Sequence, residues 1–513
     1  MSSQVRRISW LTLSFMMVAA VASIRSLPTM AVYGLGSVFL YLLPAVVFFI
    51  PVALVAAELG TGWNGGMYGW VKQAFGDKLG FWAIWYQWIQ VVVWYPIVLA
   101  FAADTFAFLI NPDLAKNGLF TAVVIIVLYW ISTFIALNGL NSLSKLSSWF
   151  MIAGTLFPAA VLILLGIAWL LTGHKSEAPL SLGALIPDIF KSTSTIVAGH
   201  HREASDFWKS FEGLLGGLVL LVGNFLAFAG IEMNAIHARS LSNPQKQMPK
   251  AIALAALLTV LIFVPPTLAI SFVVPSTDTS LTAGVMQAYS EFFQRFNMMW
   301  AIKTMAVLLI FGALGGVLTW TAGPSAGLLM VGRAGMLPPW WQKTNSKGVQ
   351  QNILFVQAAL VTVLAFFYVI IPNVSAAFWM LSAIAAQIYL VIYIFMFRSA
   401  LKLRKTQPHV KRGFVCPAIE FWSVLGIISS ALALLLGFVP PTQYSSMSPV
   451  LYVGIMLAGL ILFAIPPFLF YANRKREWQV IPPEEAAKNT APLQDLVPAP
   501  VEAGSTSSDV QVN

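Results

Sequence analysis

Long runs of residues without a single Asp, Glu, Lys, Arg or His limit what this chain can fold into more than any other feature. Such runs occupy residues 8–24, 26–57, 79–103, 117–144, 146–173, 213–231, 251–277 and 304–332. An α-helix needs about 20 apolar residues to cross ~30 Å of hydrocarbon, so the runs read as membrane spans. Arg25 alone divides the first two, and 26–57 both finishes one span and contains a second. Residues 355–397 and 421–473 exceed one membrane thickness and are punctuated by Pro372-Asn373 and Pro440-Pro441. Each reads as a pair, which brings the total to twelve. Only 9% of the 513 residues are charged, against about 25% in soluble domains, so the polar cover a water-facing surface requires is missing. The expected fold is an all-α integral membrane protein in the cell membrane (inner or plasma), with the lipid bilayer as its solvent.

The first run follows Arg6 and Arg7, but it is as long as a span and no small-residue cleavage site follows, so it reads as a transmembrane helix rather than a signal peptide. Orientation is read from Lys and Arg, which are retained on the cytoplasmic side. The N-terminus, the loops after even-numbered spans and the residues just after span twelve hold twenty of them; the other loops hold seven. Both termini are therefore expected in the cytoplasm. This sorting and anionic headgroups account for the net charge of +10 without a nucleic-acid partner. Residues 1–473 form the expected transmembrane domain. Residues 474–513, rich in Pro, Ala, Glu and Ser, read as a disordered cytoplasmic tail.

Cys416 is the one cysteine, which excludes an intramolecular disulfide framework and thiolate-clustered zinc. No cofactor or nucleotide motif is present, and no cluster of catalytic or metal ligands lies at one depth, so an enzyme is not expected. The pair His200-His201 reads as part of a solvated loop between spans five and six, and His237 as a capping histidine.

A helical bundle of this kind is most often a secondary transporter, and transporters bind substrate where helices are interrupted near the midplane. Two interruptions stand out. In span one, Val21, Ala22, Ser23, Ile24 and Arg25 lead through Ser26-Leu27 to Pro28, which removes a backbone donor and disfavours helix just before itself. In span six, Ala227, Phe228, Ala229 and Gly230 precede Glu232. A broken helix in lipid frees main-chain groups that survive only where protein, water or ligand satisfies them. Such a gap suits a zwitterion, its carboxylate on N–H groups and its ammonium on carbonyls. Intramembrane Arg25, Glu232 and Asp104 need reasons, because each costs at least ~2.5 kcal/mol to insert. Glu232 is the expected proton or amine site, and Arg25 holds a substrate carboxylate or balances Glu232. A buried ion pair of Arg25 with Glu232 or Asp104 is the structural alternative. Among the aromatics of spans three, eight and ten, Trp320 and Tyr389 occupy mid-span positions and are the expected gates.

Three stretches resemble the amino acid–polyamine–organocation superfamily of transporters. Ala57-Glu58-Leu59 with Gly65-Gly66-Met67-Tyr68-Gly69-Trp70-Val71 and Phe75-Gly76 is similar to its signature between helices two and three. Phe228-Ala229-Gly230-Ile231-Glu232, with Asn243-Pro244 and Pro249-Lys250-Ala251, is similar to its helix six and following loop. Gly323-Pro324-Ser325 with Met336-Leu337-Pro338 follows the same pattern after helix eight. Within the superfamily, residues 281–287, Lys347-Gly348-Val349 and Lys411-Arg412-Gly413-Phe414 most resemble the glutamate/γ-aminobutyrate antiporter family. The resemblance implies a five-plus-five inverted repeat (about 8–172 and 212–397), helices one and six discontinuous, and two added helices at about 420–472. It also implies exchange of an amino acid for a related amino acid or amine by alternating access, in a monomer or homodimer. By position, Val21, Ala22 and Ser23 are the carboxylate turn, Ala227 to Gly230 the helix-six turn, Glu232 the buried acid and Tyr389 the helix-ten aromatic. The chain departs from the wider superfamily in having Val21-Ala22-Ser23 in place of Gly-x-Gly, and in Arg25. Proton-coupled amino-acid or polyamine permeation and nutrient sensing through the tail are the alternative functions.

Overall fold

The computed structural model describes residues 8–139, 149–150, 152–185, 215–441 and 447–495. All are helical or connecting, apart from two isolated bridges. Among the described residues eleven helices are long and apolar enough to cross a membrane: Gly34–Gly62, Asp77–Ile110, Gly118–Ala136, Ile152–Leu171, Leu215–Ala235, Pro244–Val273, Met299–Arg333, Gln351–Ile370, Val374–Thr406, Ile419–Leu436 and Pro449–Ala472. The shorter apolar helix Trp10–Val21 completes the set, and with Leu27–Ala31 it is the expected first span, already broken. The others are numbered two to twelve below.

Burial sorts the spans into layers. Spans three and ten are each 83% buried over their most apolar window, whereas span twelve is 11% buried. The first two form the centre of the bundle and the last lies on its oily rim, where exposed Leu, Ile and Phe side chains cost nothing in lipid.

Among the described residues two spans carry π-turns, and each is accommodated by a neighbour. In span two the π-turn Ala45–Phe49 follows Pro44, and the Val47 carbonyl accepts a hydrogen bond from Ser429 Oγ of span eleven at 2.9 Å. Span five opens with the π-turn Ile152–Leu156, where Gly154 lies directly on Gly312 of span eight. A Cβ on Gly154 would stand 2.1 Å from the Gly312 nitrogen, so this crossing admits no side chain.

On the basic side of the bundle, Glu58 at the end of span two is 2% exposed and gathers the loop between spans ten and eleven. Its carboxylate takes Arg404 Nη2 at 2.5 Å, Arg412 Nε at 3.1 Å and the Cys416 amide at 2.8 Å. The Arg412 guanidinium also lies over the Trp63 ring, 5.1 Å from its centroid.

Residues 474–495 depart from the expected disorder. They form the turns Arg476–Trp478 and Leu493–Asp495 and the short helix Pro483–Lys488. Val480 N donates to Arg333 O at the end of span eight, Gln73 Nε2 donates to Thr490 O, and Asn64 N donates to Ala491 O. Main-chain partners on the bundle order this segment, and composition carries no record of them. Residues 496–513 lie outside the described residues.

Candidate functional site

The first span breaks where Pro28 and the serines predict. Trp10–Val21 ends at Ala22, whose amide closes on Val18 O and whose own φ and ψ are −61° and 116°. Helix resumes at Leu27–Ala31. Between them, the amides of Ser23, Ile24, Arg25 and Ser26 donate to no acceptor among the described residues, whereas Leu27 N reaches Ile24 O at 3.3 Å. Ser26 makes no side-chain cap, and its hydroxyl has no partner among the described residues. The sixth span runs as helix over Val222–Phe228, turns extended at Ala229 and left-handed at Gly230 (φ 105°), and continues as the 3₁₀ segment Ile231–Ser240.

The two breaks face one cavity of about 940 Å³, counting its open mouth. Of the expected site residues, Val21, Ala22, Ser23, Ile24, Arg25, Ala227, Ala229, Trp320 and Tyr389 line it. Gln90 and Trp94 of span three, Gly154 and Thr155 of span five, and Gly316 of span eight also belong to its wall. Phe228 does not belong to it. That ring points the other way, 5.6 Å from Phe49 and 5.7 Å from Phe263, because it precedes the turn and lies on the packed face of the helix. Gly230 and Glu232 sit behind the lining.

Glu232 is buried at 2% exposure and receives three donors. Tyr389 Oη donates to Oε1 and Tyr393 Oη to Oε2, both at 2.5 Å, and the Gly230 amide donates to Oε2 at 3.1 Å. Both tyrosines come from span ten and stack with centroids 4.7 Å apart. Tyr393 also accepts from Gly230 N at 2.8 Å. The acid therefore ties the left-handed turn of span six to span ten. Its partner Tyr389 reaches the cavity; the carboxylate itself does not. Sequence reasoning missed Tyr393, although Tyr389 and Tyr393 are four residues apart, a spacing that places both on one helix face.

Arg25 pairs with neither acid. Asp104, fully buried in span three, accepts from Thr121 Oγ1 at 2.9 Å. The Arg25 guanidinium lies 5.2 Å over the Trp94 ring, and its Nε donates to nothing among the described residues. The buried ion pair considered from the sequence is absent in both of its forms. Trp320 packs 6.2 Å from Trp94 and covers Gly230, where a Cβ would stand 2.8 Å from its ring. His200 and His201 lie outside the described residues; His237 falls in the 3₁₀ segment after the turn. No group of three or more His, Cys, Asp or Glu capable of holding a metal occurs among the described residues.

Comparison with known proteins agrees with this architecture. Residues 8–461 match the profile of a family described as amino acid permease. An uncharacterized transporter of Legionella pneumophila is 38% identical over 88% of this chain and 94% of its own length. A glutamate/gamma-aminobutyrate antiporter of Lactococcus lactis is 30% identical over 88% of this chain and 87% of its own. A probable agmatine/putrescine antiporter of the same species is 23% identical over 90% and 93%.

Proposed function

The chain belongs to the amino acid permease family, within the amino acid–polyamine–organocation superfamily, and from that premise we propose that it exchanges one amino acid for a related amino acid or amine by alternating access. The observation that carries this is the row of four amides at Ser23, Ile24, Arg25 and Ser26, without partners among the described residues and lining the cavity between the two broken helices. Consecutive main-chain N–H groups around a concavity form an anion cradle, which suits the α-carboxylate common to amino acids. The antiporter names of the relatives support exchange, and the basic side of the bundle is the cytoplasmic one, both termini included.

In this reading Glu232 is a positioning residue. It fixes the Gly230 turn and orients Tyr389 toward the substrate, and any proton coupling passes through this carboxyl. Exchange requires that loaded and empty carrier interconvert while substrate favours neither face strongly, because a ligand moves a conformational equilibrium only by its difference in affinity.

The test is uptake of labelled amino acids into proteoliposomes of the full chain. Uptake should depend on unlabelled amino acid or amine inside and cease without it. Uptake into empty vesicles driven by a pH gradient alone would replace exchange with proton-coupled permeation. A carrier shows this flux, whereas a sensor that signals without transport shows none.

A further inference from the structure

On the basic side of the bundle, four exposed cations lie over aromatic rings. Lys402 Nζ is 4.8 Å and the Arg398 guanidinium 6.0 Å from the ring centroid of Phe75, which ends the helix Gly66–Phe75 leading into span three. Lys78 Nζ, in the first turn of span three, is 5.2 Å from the Phe468 ring of span twelve. The Arg474 guanidinium lies 4.0 Å from the ring of Tyr471, three residues beyond Phe468. A ring places a cation but does not neutralise it. Among the described residues none of the four forms a salt bridge, and the nearest acids in sequence are taken. Asp77 meets Lys72 Nζ at 3.0 Å, and Glu477 meets Lys475 Nζ at 3.6 Å.

The rings belong to one groove. Away from the basic side, spans ten and twelve meet directly: Trp379 Nε1 donates to Tyr452 Oη at 3.1 Å, and a Cβ on Gly459 would stand 3.4 Å from Ile384. Toward the basic side both rest on span three. Phe395 of span ten lies 5.3 Å from Trp82 and 6.2 Å from Phe75. Leu460 O and Phe463 O of span twelve accept from Tyr86 Oη at 2.8 Å and Trp85 Nε1 at 3.0 Å. Trp82 stacks on Tyr86 with centroids 4.1 Å apart, so this pair floors the gap between spans ten and twelve. Lys78 stands one helical turn before Trp82, and Arg398 and Lys402 one and two turns after Phe395, which puts their charges at the mouth of the groove. The wall toward span twelve is open to the hydrocarbon: Phe468 is 38% exposed on a helix that is 11% buried.

An aromatic floor facing lipid beneath a basic mouth at headgroup depth suits a partner that is apolar below and anionic above. We propose that this groove binds an anionic phospholipid, its phosphate received by Lys78, Arg398 and Lys402 and an acyl chain laid along Trp82 and Phe468. A soluble anion matches only the mouth, and a zwitterionic lipid brings an ammonium that the cations repel. The bound lipid joins span ten, which carries Tyr389 and Tyr393, to span twelve.

The test is native mass spectrometry of the purified full chain, delipidated in neutral detergent and titrated with phosphatidylglycerol or phosphatidylcholine. The first phosphatidylglycerol should bind about tenfold or more tightly than phosphatidylcholine, since each basic group near a headgroup contributes about fivefold. Joint Lys78→Gln, Arg398→Gln and Lys402→Gln should weaken that first lipid about a hundredfold and leave phosphatidylcholine binding unchanged. All three side chains are exposed, so this variant should melt as the parent does; if it melts early, Lys78→Gln with Lys402→Gln should still show a loss of about thirtyfold. Joint Lys246→Gln, Lys250→Gln and Lys343→Gln removes as much charge from exposed positions outside the groove and should preserve binding. Equal affinity of the parent for the two lipids, or an equal loss in the second triple variant, would overturn the site. So would displacement of the lipid by inorganic phosphate, which marks a soluble anion as the occupant, or a dimer that the first triple variant dissociates, which marks a second copy of the chain.

Discussion

Gly230→Ala tests whether the left-handed turn in span six is what holds the site together. Gly230 has φ 105° and ψ −9°, a conformation that costs an L-residue about 1–2 kcal/mol. The new methyl would also stand 2.8 Å and 2.9 Å from Trp320 Cζ2 and Cη2, so the ring must retreat by roughly 0.7 Å to regain the ~3.5 Å contact of two carbons. Strain alone shifts the equilibrium away from this turn by about five- to thirtyfold. The displaced ring intrudes on the cavity it lines. Exchange in proteoliposomes should fall by at least that factor, with a lowered melting temperature in detergent. Adding Trp320→Leu removes the clash and leaves the backbone strain, so the double variant should recover partially. Parental exchange in Gly230→Ala would refute the role given to the turn, and full recovery in the double variant would refute the strain argument.

Glu232→Gln keeps the size of the side chain but loses the charge that three donors share. Exchange should drop roughly tenfold or more, corresponding to about 1.5–3 kcal/mol, with normal membrane insertion; an unchanged exchange rate would separate Glu232 from the mechanism. Glu58→Ala leaves Arg404 and Arg412 without their acid and should destabilise the chain by about 3 kcal/mol. That is the low end for a broken buried pair because Arg404 is 32% exposed. Limited proteolysis at residues 407–416 and thermal melting read this loss, and an unaltered melting temperature contradicts it. Burial, reinforced by the Glu58 carboxylate, pushes the Cys416 thiol up to about 12. A pKa raised this far leaves no thiolate until strongly alkaline pH. Maleimide labelling of the native chain should accordingly be far slower than that of an exposed cysteine at every pH from 7 to 9, because the thiolate fraction stays at about one in a thousand or less.

Much of this architecture was legible from charge-free runs and proline placement, because lipid forces helix everywhere and makes each exception conspicuous. Pro28 marked the restart of span one, and Gly230 beside Glu232 marked the turn in span six. The direction each residue faces was far less legible. Along spans apolar on every side, hydrophobic periodicity no longer distinguishes the packed face from the lipid face, so Phe228 was assigned to the cavity it turns away from. The solitary state of Arg25 was equally hidden. Whether a buried cation meets Glu232, Asp104 or neither depends on side-chain directions across three spans. The order of residues 474–495 comes from partners such as Arg333 and Gln73, distant in sequence.

Where Gly154 lies on Gly312, two helices touch backbone to backbone with no side chains enmeshed between them. Interlocked ridges resist sliding, and this crossing has none. On the wall of the solute chamber it sets how closely span five approaches span eight, and a single methyl at either glycine would force the two apart.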